Sequence, residues 1–469
     1  MRDAPRSVTL VGMATPPTGQ YAASWMHPEA RSDWLDATYW IDTARALEVG
    51  GFDLMFLPDA LAVPEDREGS FETTLETGGK GAVYLDPVVT LATVAGATST
   101  IGLGATVSTS FAPPYLIARS LLTLDHLSGG RCAWNIVTST TDAEARNMGG
   151  ERIAPKAERY DRADRVVDEV VELMRSWEPG ALLLDADGGR FADPCRVHRA
   201  ARGGETTDGR GHRRAMGPLT VPRSRQDHPV LMQAGASDRG LEFAARWAEI
   251  AFIWAEDRET AAAARADLRH RAAAIGRDPD GLRVCVGVQP IAAASDEAAR
   301  MLVRDLEDRL DPELTMRALA RIFHADATVI DPAEPATEFL DRHRGATGAE
   351  GFERMLRRRC ERERLTVGRF ATLQSMTQLA PQFVGAGASI ADELCEWVDS
   401  GACDGFVVTA AVHNASLLAF AEHVGPELRR RGRLRGARRP EPDHPHRETL
   451  RERLGMVPSE TPGAISRVV

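Results

Sequence analysis

Small hydroxyl and amide side chains gather at two places where the chain leaves a β-branched run. Within residues 101–150 the first run ends in Thr106, Val107, Ser108 and Thr109, and the second, Cys132 to Thr138, carries Asn135 just ahead of Thr138 and Ser139. Farther on, PVLMQAGAS sets Gly235, Ala236 and Ser237 between another apolar run and a helical pattern that opens at Asp238. Neutral donors and acceptors of this kind hold a polar organic ligand. A turn of small residues before a helix adds free N–H groups and the positive end of the helix dipole, which together seat a phosphate. Ser237 therefore reads as a phosphate contact, and Asp238 as a helix cap. Asp59, just past the run Phe52 to Leu57, reads equally as a ligand contact or as an ordinary loop aspartate. Any one hydroxyl at a strand end serves as readily to cap the next helix; the cluster carries the ligand reading.

The elements that must carry these residues follow from periodicity. Two β-branched runs joined by the helical pattern Pro114 to Leu127, stopped by Ser128 and Gly129-Gly130, form a parallel βαβ unit, because parallel neighbours need a long crossover. In parallel α/β folds the carboxyl ends of the strands bind ligands, which is where the hydroxyls lie. Further strands are expected at Ser7–Met13, Phe52–Leu57, Pro229–Gly235, Glu249–Ala255, Leu282–Ala293 and Gly405–Thr409. Helices are expected at Asp33–Leu47, Pro87–Thr98, Tyr160–Trp177, Arg258–Ile275, Ile390–Ser400 and Ser416–Arg431. Eight such alternations point to a (β/α)8 TIM barrel, with a doubly wound open sheet as the alternative. A barrel needs only ~250 residues. The surplus is assigned to insertions at 178–228, after the fourth strand, and 295–383, after the seventh and without clear strands, and to a C-terminal tail at 432–469. The whole of 1–469 is read as one barrel domain. The polar loop Ala60 to Tyr84, roughly 25 residues, is long enough to act as a lid.

Composition narrows the class. A formal charge of -11 over 469 residues argues against a nucleic-acid binder, which needs a net basic face. The basic run RRRGRLRGARR, Arg429 to Arg439, reads as a helix end continuing into a solvated tail rather than as an anion contact. The six cysteines are scattered, with no CxxC pair and no zinc spacing, so no metal site is expected and the thiols read as free. Neither a signal peptide nor an apolar run approaching the ~18 residues of a spanning helix is visible; a cytoplasmic protein without membrane partners is expected. There is no GxGxxG at a strand-helix turn and no GxxxxGK[ST], so Rossmann and P-loop sites lack support.

The segment SLLTLDHLSGGRCAWNIVTSTTDAEARNMG resembles the signature of the bacterial luciferase-like flavin-dependent monooxygenases, in the branch of the nitrilotriacetate, dibenzothiophene-sulfone and long-chain alkane monooxygenases. Further similar segments follow in the same order: GFDLMFLPDAL, ERYDRADRVVDEVVELMRSW, FADP, GPLTVPRSRQDHPVLMQAGASDRG, ADELCEWVDSGACDGFVV and TLRERLGMVP. The resemblance spans nearly the whole chain and is weak only in 295–383. It implies a (β/α)8 barrel that takes FMN as FMNH2, diffusing from a separate NAD(P)H:flavin reductase, and reacts it with O2 to a C4a-peroxyflavin that oxygenates a small-molecule substrate. It also implies a homodimer or homotetramer. Carried over by motif, Asp59, Thr106 and Asn135 line the isoalloxazine pocket, and Tyr160, Gly235, Ala236 and Ser237 surround the ribityl phosphate. Such a pocket must exclude water. Trp134, Met55 and Phe111 are candidate apolar walls, with plain barrel core the alternative for Trp134 and Met55.

Two departures bear on catalysis. Where the family commonly carries histidines, this chain has Gly19-Gln20-Tyr21 in the first loop and Lys156 before ERY. Lys156 can still meet a phosphate as a point charge. With no evident acid or base, Tyr21, Asn135 and Ser139 are the weak catalytic candidates. The alternatives are a deazaflavin-dependent oxidoreductase of the same superfamily and a non-catalytic flavin-binding barrel.

Overall fold

The computed structural model describes residues 6–19, 21–66, 68–78, 81–200, 214–235, 237–347, 350–377, 380–436 and 448–456. Eight strands form the frame: β1 (Thr9–Met13), β2 (Leu54–Leu57), β3 (Gly102–Ser108), β4 (Cys132–Val137), β5 (Val230–Ala234), β6 (Ile250–Ile253), β7 (Arg283–Ala293) and β8 (Gly405–Thr409). Each pairs in parallel with the next, and β8 returns to β1, so the sheet closes. The expected (β/α)8 barrel is present and the open sheet is excluded. Helices pack outside it, among them Ala37–Gly50, Pro114–Ser128, Lys156–Met174 and Gly387–Asp399.

Alternation along the strands sorts the core into two layers. Val11, Leu54, Phe56, Ala133, Met232 and Cys285 belong to an inner cluster that fills the barrel. Leu10, Met55, Leu103, Trp134, Leu231 and Val284, one residue out of phase, pack against the helices. Met55 and Trp134 are thus core between sheet and helices, which corrects their reading as walls of a ligand cavity. The pleat dictates this: Asn135 points inward, so its neighbour Trp134 must point outward, where its Nε1 donates to Val107 O at 3.1 Å.

The amino end of the barrel is closed by the short helix Leu450–Arg453. Leu450, Leu454 and Met456 join the inner cluster. Arg451 is buried and pairs both guanidinium ends with Glu249, the residue before β6, while Nη2 also donates to His228 O at 3.2 Å. Arg453 Nε donates to Asp53 Oδ1 at 3.1 Å, just before β2. The solvated reading of the tail is corrected here as well. Arg433 pairs with Asp399 at the end of the helix Gly387–Asp399, and Arg435 reaches Asp53 at 3.1 Å and Ser7 Oγ at 2.7 Å, a carboxylate and a hydroxyl just before β2 and β1. Residues 437–447 and 457–469 lie outside the described residues.

Between β4 and β5 the chain forms an antiparallel hairpin, Leu182–Asp185 with Arg190–Ala192. Between β7 and β8 come, among the described residues, six α-helices, Asp296–Asp308, Pro312–Ile322, Ala336–Arg342, Glu350–Glu363, Val367–Thr377 and Gly387–Asp399, and the second to fifth of these share a separate apolar cluster around Phe323, Phe339 and Phe370. This region also holds the start of a strand the sequence reading lacked: Gln382–Ala386 pairs in parallel with Gln289–Ala293, the overhang of the 11-residue β7. Five residues opening on a glutamine carry too little alternation to be recognised alone. No helix among the described residues is long and apolar enough to cross a membrane.

Candidate functional site

At the carboxyl end of the barrel the strand register places the expected contacts side by side. Thr106 on β3 is the register partner of Asn135 on β4, and both are buried. Asn135 Nδ2 donates to Thr106 Oγ1 at 3.0 Å, and that hydroxyl donates to Leu57 O at 2.7 Å, at the end of β2. This relay fixes the asparagine amide and ties three strand ends together. Asp59 follows two residues after Leu57.

Above them lies a cleft of ≈ 1340 Å³. Its lining takes Asp59 from the loop after β2, Ile136 and Val137 from the end of β4, Thr138 to Glu144 from the loop and helix start that follow, Tyr160, and Gln233 from β5. The loop Ala60 to Tyr84 forms one wall with Pro64, Glu65 and Asp66, and the helical region after β7 contributes His324 and Thr347 opposite. That loop is tied to the same region, since Arg317 reaches Glu76 at 2.9 Å. Ser139 faces the cleft with a left-handed backbone (φ 48°), its hydroxyl 2.9 Å from that of Ser108.

The turn after β5 forms a second cradle. Ser237 is the N-cap of the helix Asp238–Trp247, accepting from Gly240 N at 3.3 Å. The capping role expected of Asp238 therefore belongs to Ser237, while Asp238 sits in the first turn, exposed. An Oγ that accepts from the backbone still carries a proton to donate, so capping and ligand contact are compatible. Tyr160 is buried, hydrogen-bonded to both Ser237 and Gln233, and its ring lies under the Arg239 guanidinium. Gln233 Oε1 is buried with no partner among the described residues, and a Cβ on Gly235 would come within 2.5 Å of Gln233 Nε2. An unmet buried acceptor at the edge of the cleft is an arrangement a ligand completes. Gln233 was missed in the sequence reading, although it stands in the quoted QAGAS segment.

Other expected residues are placed apart. Lys156 is the first residue of its helix, half-buried, one turn before Tyr160 and absent from the cleft lining. Tyr21 is fully buried in another cluster, where its hydroxyl donates to Leu306 O at 2.6 Å. Burial pushes it up to about 12, so it holds its proton through the neutral range. Phe111 opens onto a different, smaller cavity. Ala236 lies outside the described residues.

The cleft is acidic in an uneven way. Burial, reinforced by the charges of Asp86 and Glu144, lifts the Asp59 carboxyl to about 6. Desolvation and the nearby Asp59 push the Tyr84 hydroxyl up to about 12. Glu144 goes the other way. Burial raises it, but the N–H groups of Thr140 and Thr141 and the hydroxyls of Ser139 and Thr141 together hold its carboxyl below the ordinary range. Asp59 and Glu144, two carboxyls of one rim, are thus held on opposite sides of the ordinary range.

A closed parallel barrel with a polar cleft and a small-residue turn at its carboxyl rim defines the cofactor-binding class of (β/α)8 enzymes. The comparisons with known proteins narrow this. The luciferase-like monooxygenase family matches residues 18–404. Dibenzothiophene-sulfone monooxygenase of Rhodococcus erythropolis is 38% identical over 443 residues, 92% of this chain and 93% of that one. The crystal structure of DmoA from Hyphomicrobium sulfonivorans, 31% identical, superposes with a TM-score of 0.83 over 97% of this chain and 93% of that one. Riboflavin lyase RcaE, solved with modified FMN and its substrate riboflavin, is 29% identical, with a TM-score of 0.80 and 97% of both chains covered. The chain belongs to the luciferase-like monooxygenase family and is a flavin-dependent monooxygenase.

Proposed function

We propose that this chain is the oxygenating component of a two-component system, using FMNH2 supplied by diffusion from a separate NAD(P)H:flavin reductase to add one oxygen atom from O2 to a small organic substrate. The observation that carries it is the cradle of Tyr160, Gln233, Gly235 and Ser237 beside the Thr106–Asn135 relay, which fits a ligand with a polar ring system at one end and a phosphate at the other. Reduced FMN, when bound, supplies the activation of O2. In this reading Asp59, Thr106 and Asn135 hold the ring, and Tyr160, Gly235, Ala236 and Ser237 hold the phosphate, with Lys156 adding charge from one turn away. Ser139, its hydroxyl held between Ser108 and Glu144 at the cleft surface, faces the bound ring and is the weak catalytic candidate that lies in the cleft. The loop Ala60 to Tyr84 and the region 295–383 exclude water from above. The whole of 1–469 then acts as one barrel domain with insertions at 178–228 and 295–383.

The test is an anaerobic titration with reduced FMN followed by rapid mixing with O2. Binding, with a transient absorbance distinct from both reduced and oxidised FMN, is the expected result, and true substrates should alter its decay. Absence of reduced-FMN binding would remove the assignment. Binding of a reduced deazaflavin instead, with its oxidation by a substrate and no oxygen consumption, would establish hydride transfer.

A further inference from the structure

A second cavity, ≈ 470 Å³, opens between the loop after β3 and the first turns of the helix Lys156–Met174. Four arginines line it, Arg152, Arg159, Arg162 and Arg165, with Ser110 and Phe111 on the strand side. Of the two acidic residues at its edge, Glu158 is exposed and Asp161 already pairs with Arg239 at 3.2 Å. The cavity is therefore strongly cationic.

Two of its arginines are not arranged as structural arginines usually are. Arg159 and Arg162 are half-buried, and among the described residues neither has a carboxylate within ion-pair distance. Arg159 Nη1 donates to Ala154 O at 2.6 Å and Arg162 Nε to Thr109 O at 2.9 Å. Arg159 Nε is buried with no partner among the described residues. Desolvation lowers both guanidinium groups below their ordinary range, with Arg165 adding to the effect on Arg162, and it outweighs the opposing pull of Glu144 on Arg159 and of Glu169 on Arg162. Contrast Arg451, which at greater burial is fully paired with Glu249. Desolvated cations facing one cavity without a directly paired carboxylate are unfavourable unless an anion completes them, and the planar guanidinium fork suits an oxyanion.

We propose that this cavity binds a tetrahedral oxyanion of the phosphate type. The site stands on the arginine geometry alone and does not depend on the flavin assignment; its lining excludes Tyr160, Gly235 and Ser237. The oxyanion has two possible sources, a separate anion, free or carried by the substrate, and the ribityl phosphate of a flavin. Arg159 adjoins Tyr160 in the chain, so occupancy here would place a negative charge next to the main cleft.

The experiment uses the full chain with inorganic phosphate as probe, in a buffer free of other multivalent anions. Calorimetric titration is run on the wild type and on the Arg152→Met/Arg159→Met double variant, whose methionines keep the apolar stems. The wild type is expected to bind phosphate, and the double variant to bind it about tenfold or more weakly with an unchanged circular-dichroism spectrum. If the double variant does not fold, Arg152→Met alone serves, since that side chain is exposed. No binding by the wild type, or equal affinity in a folded variant, overturns the proposal. Repeating the titration with saturating FMN and with riboflavin separates the sources. Phosphate binding kept under FMN means a separate anion; binding lost under FMN but kept under riboflavin means that the ribityl phosphate occupies the cavity.

Discussion

Replacing Asp59 by asparagine should stabilise the ligand-free protein, and only toward higher pH. In the unfolded chain this carboxyl ionises at its ordinary 3.8, whereas in the fold it ionises at about 6, mainly through burial and secondarily through Asp86 and Glu144. Its folded value is raised, so the stability that its proton supplies is fully present below about pH 4 and is lost as pH rises through 6. At about 1.4 kcal/mol for each tenfold change, the bound on that loss is about 3 kcal/mol above pH 7. Asp59 is partly open to the cleft, and solvent screening reduces this to about 1–2 kcal/mol. Asparagine is neutral throughout and escapes the loss. Urea unfolding of the two proteins, followed by circular dichroism at half-unit steps from pH 4 to pH 8, should show a difference that grows up to about pH 7 and then levels. A difference independent of pH, or one that grows toward acid, would refute the account of Asp59 as a desolvated carboxyl.

Three further substitutions probe other parts of the structure. Arg451→Met leaves Glu249 buried without its partner and should cost about 3–5 kcal/mol in urea unfolding at pH 7. Because coulombic and hydrogen-bond contact with Arg451 outweighs burial and holds Glu249 down to about 2, this cost should persist above pH 4.5 and shrink as pH falls toward 2. Ser237→Asp sets a carboxylate at the proposed phosphate seat, where fluorescence titration with FMN should detect no binding; retained affinity would take Ser237 out of that seat. Gly405→Ala places a Cβ 2.1 Å from Thr9 O, across the β1–β8 seam, and the backbone there cannot withdraw without breaking the ladder. A loss of several kcal/mol, read as a lower urea midpoint, is expected, and a neutral result would mean that the seam is wider than described.

Much of the frame was legible in the chain because its determinants are local. Apolar runs, helical stripes and glycine stops located all eight barrel strands to within a few residues at their ends, since hydrophobic periodicity needs no partner to be visible. The site was legible in part for the same reason. Hydroxyl and amide residues at strand ends must gather at one rim once the strands are parallel, which is how Thr106 and Asn135 come to be hydrogen-bonded. The family motifs then separated a flavin enzyme from any other barrel, something spacing alone could not do.

Tertiary structure decided whatever depends on which face a residue shows or on which distant segment meets it. The strand phase sent Trp134 and Met55 outward and Asn135 inward. Closure alone turned Arg451 and Arg453, read as part of a tail, into the plug of the barrel, because their carboxylate partners Glu249 and Asp53 lie 202 and 400 residues away. Tyr21 was drawn into a core far from the cleft lining, while His324 and Thr347 were brought to it from a region with no readable motif. The four arginines of the smaller cavity look, along the sequence, like the polar face of an amphipathic helix and its approach. Only packing against the loop after β3 removes enough water from Arg159 and Arg162 to make the lack of a directly paired carboxylate matter there.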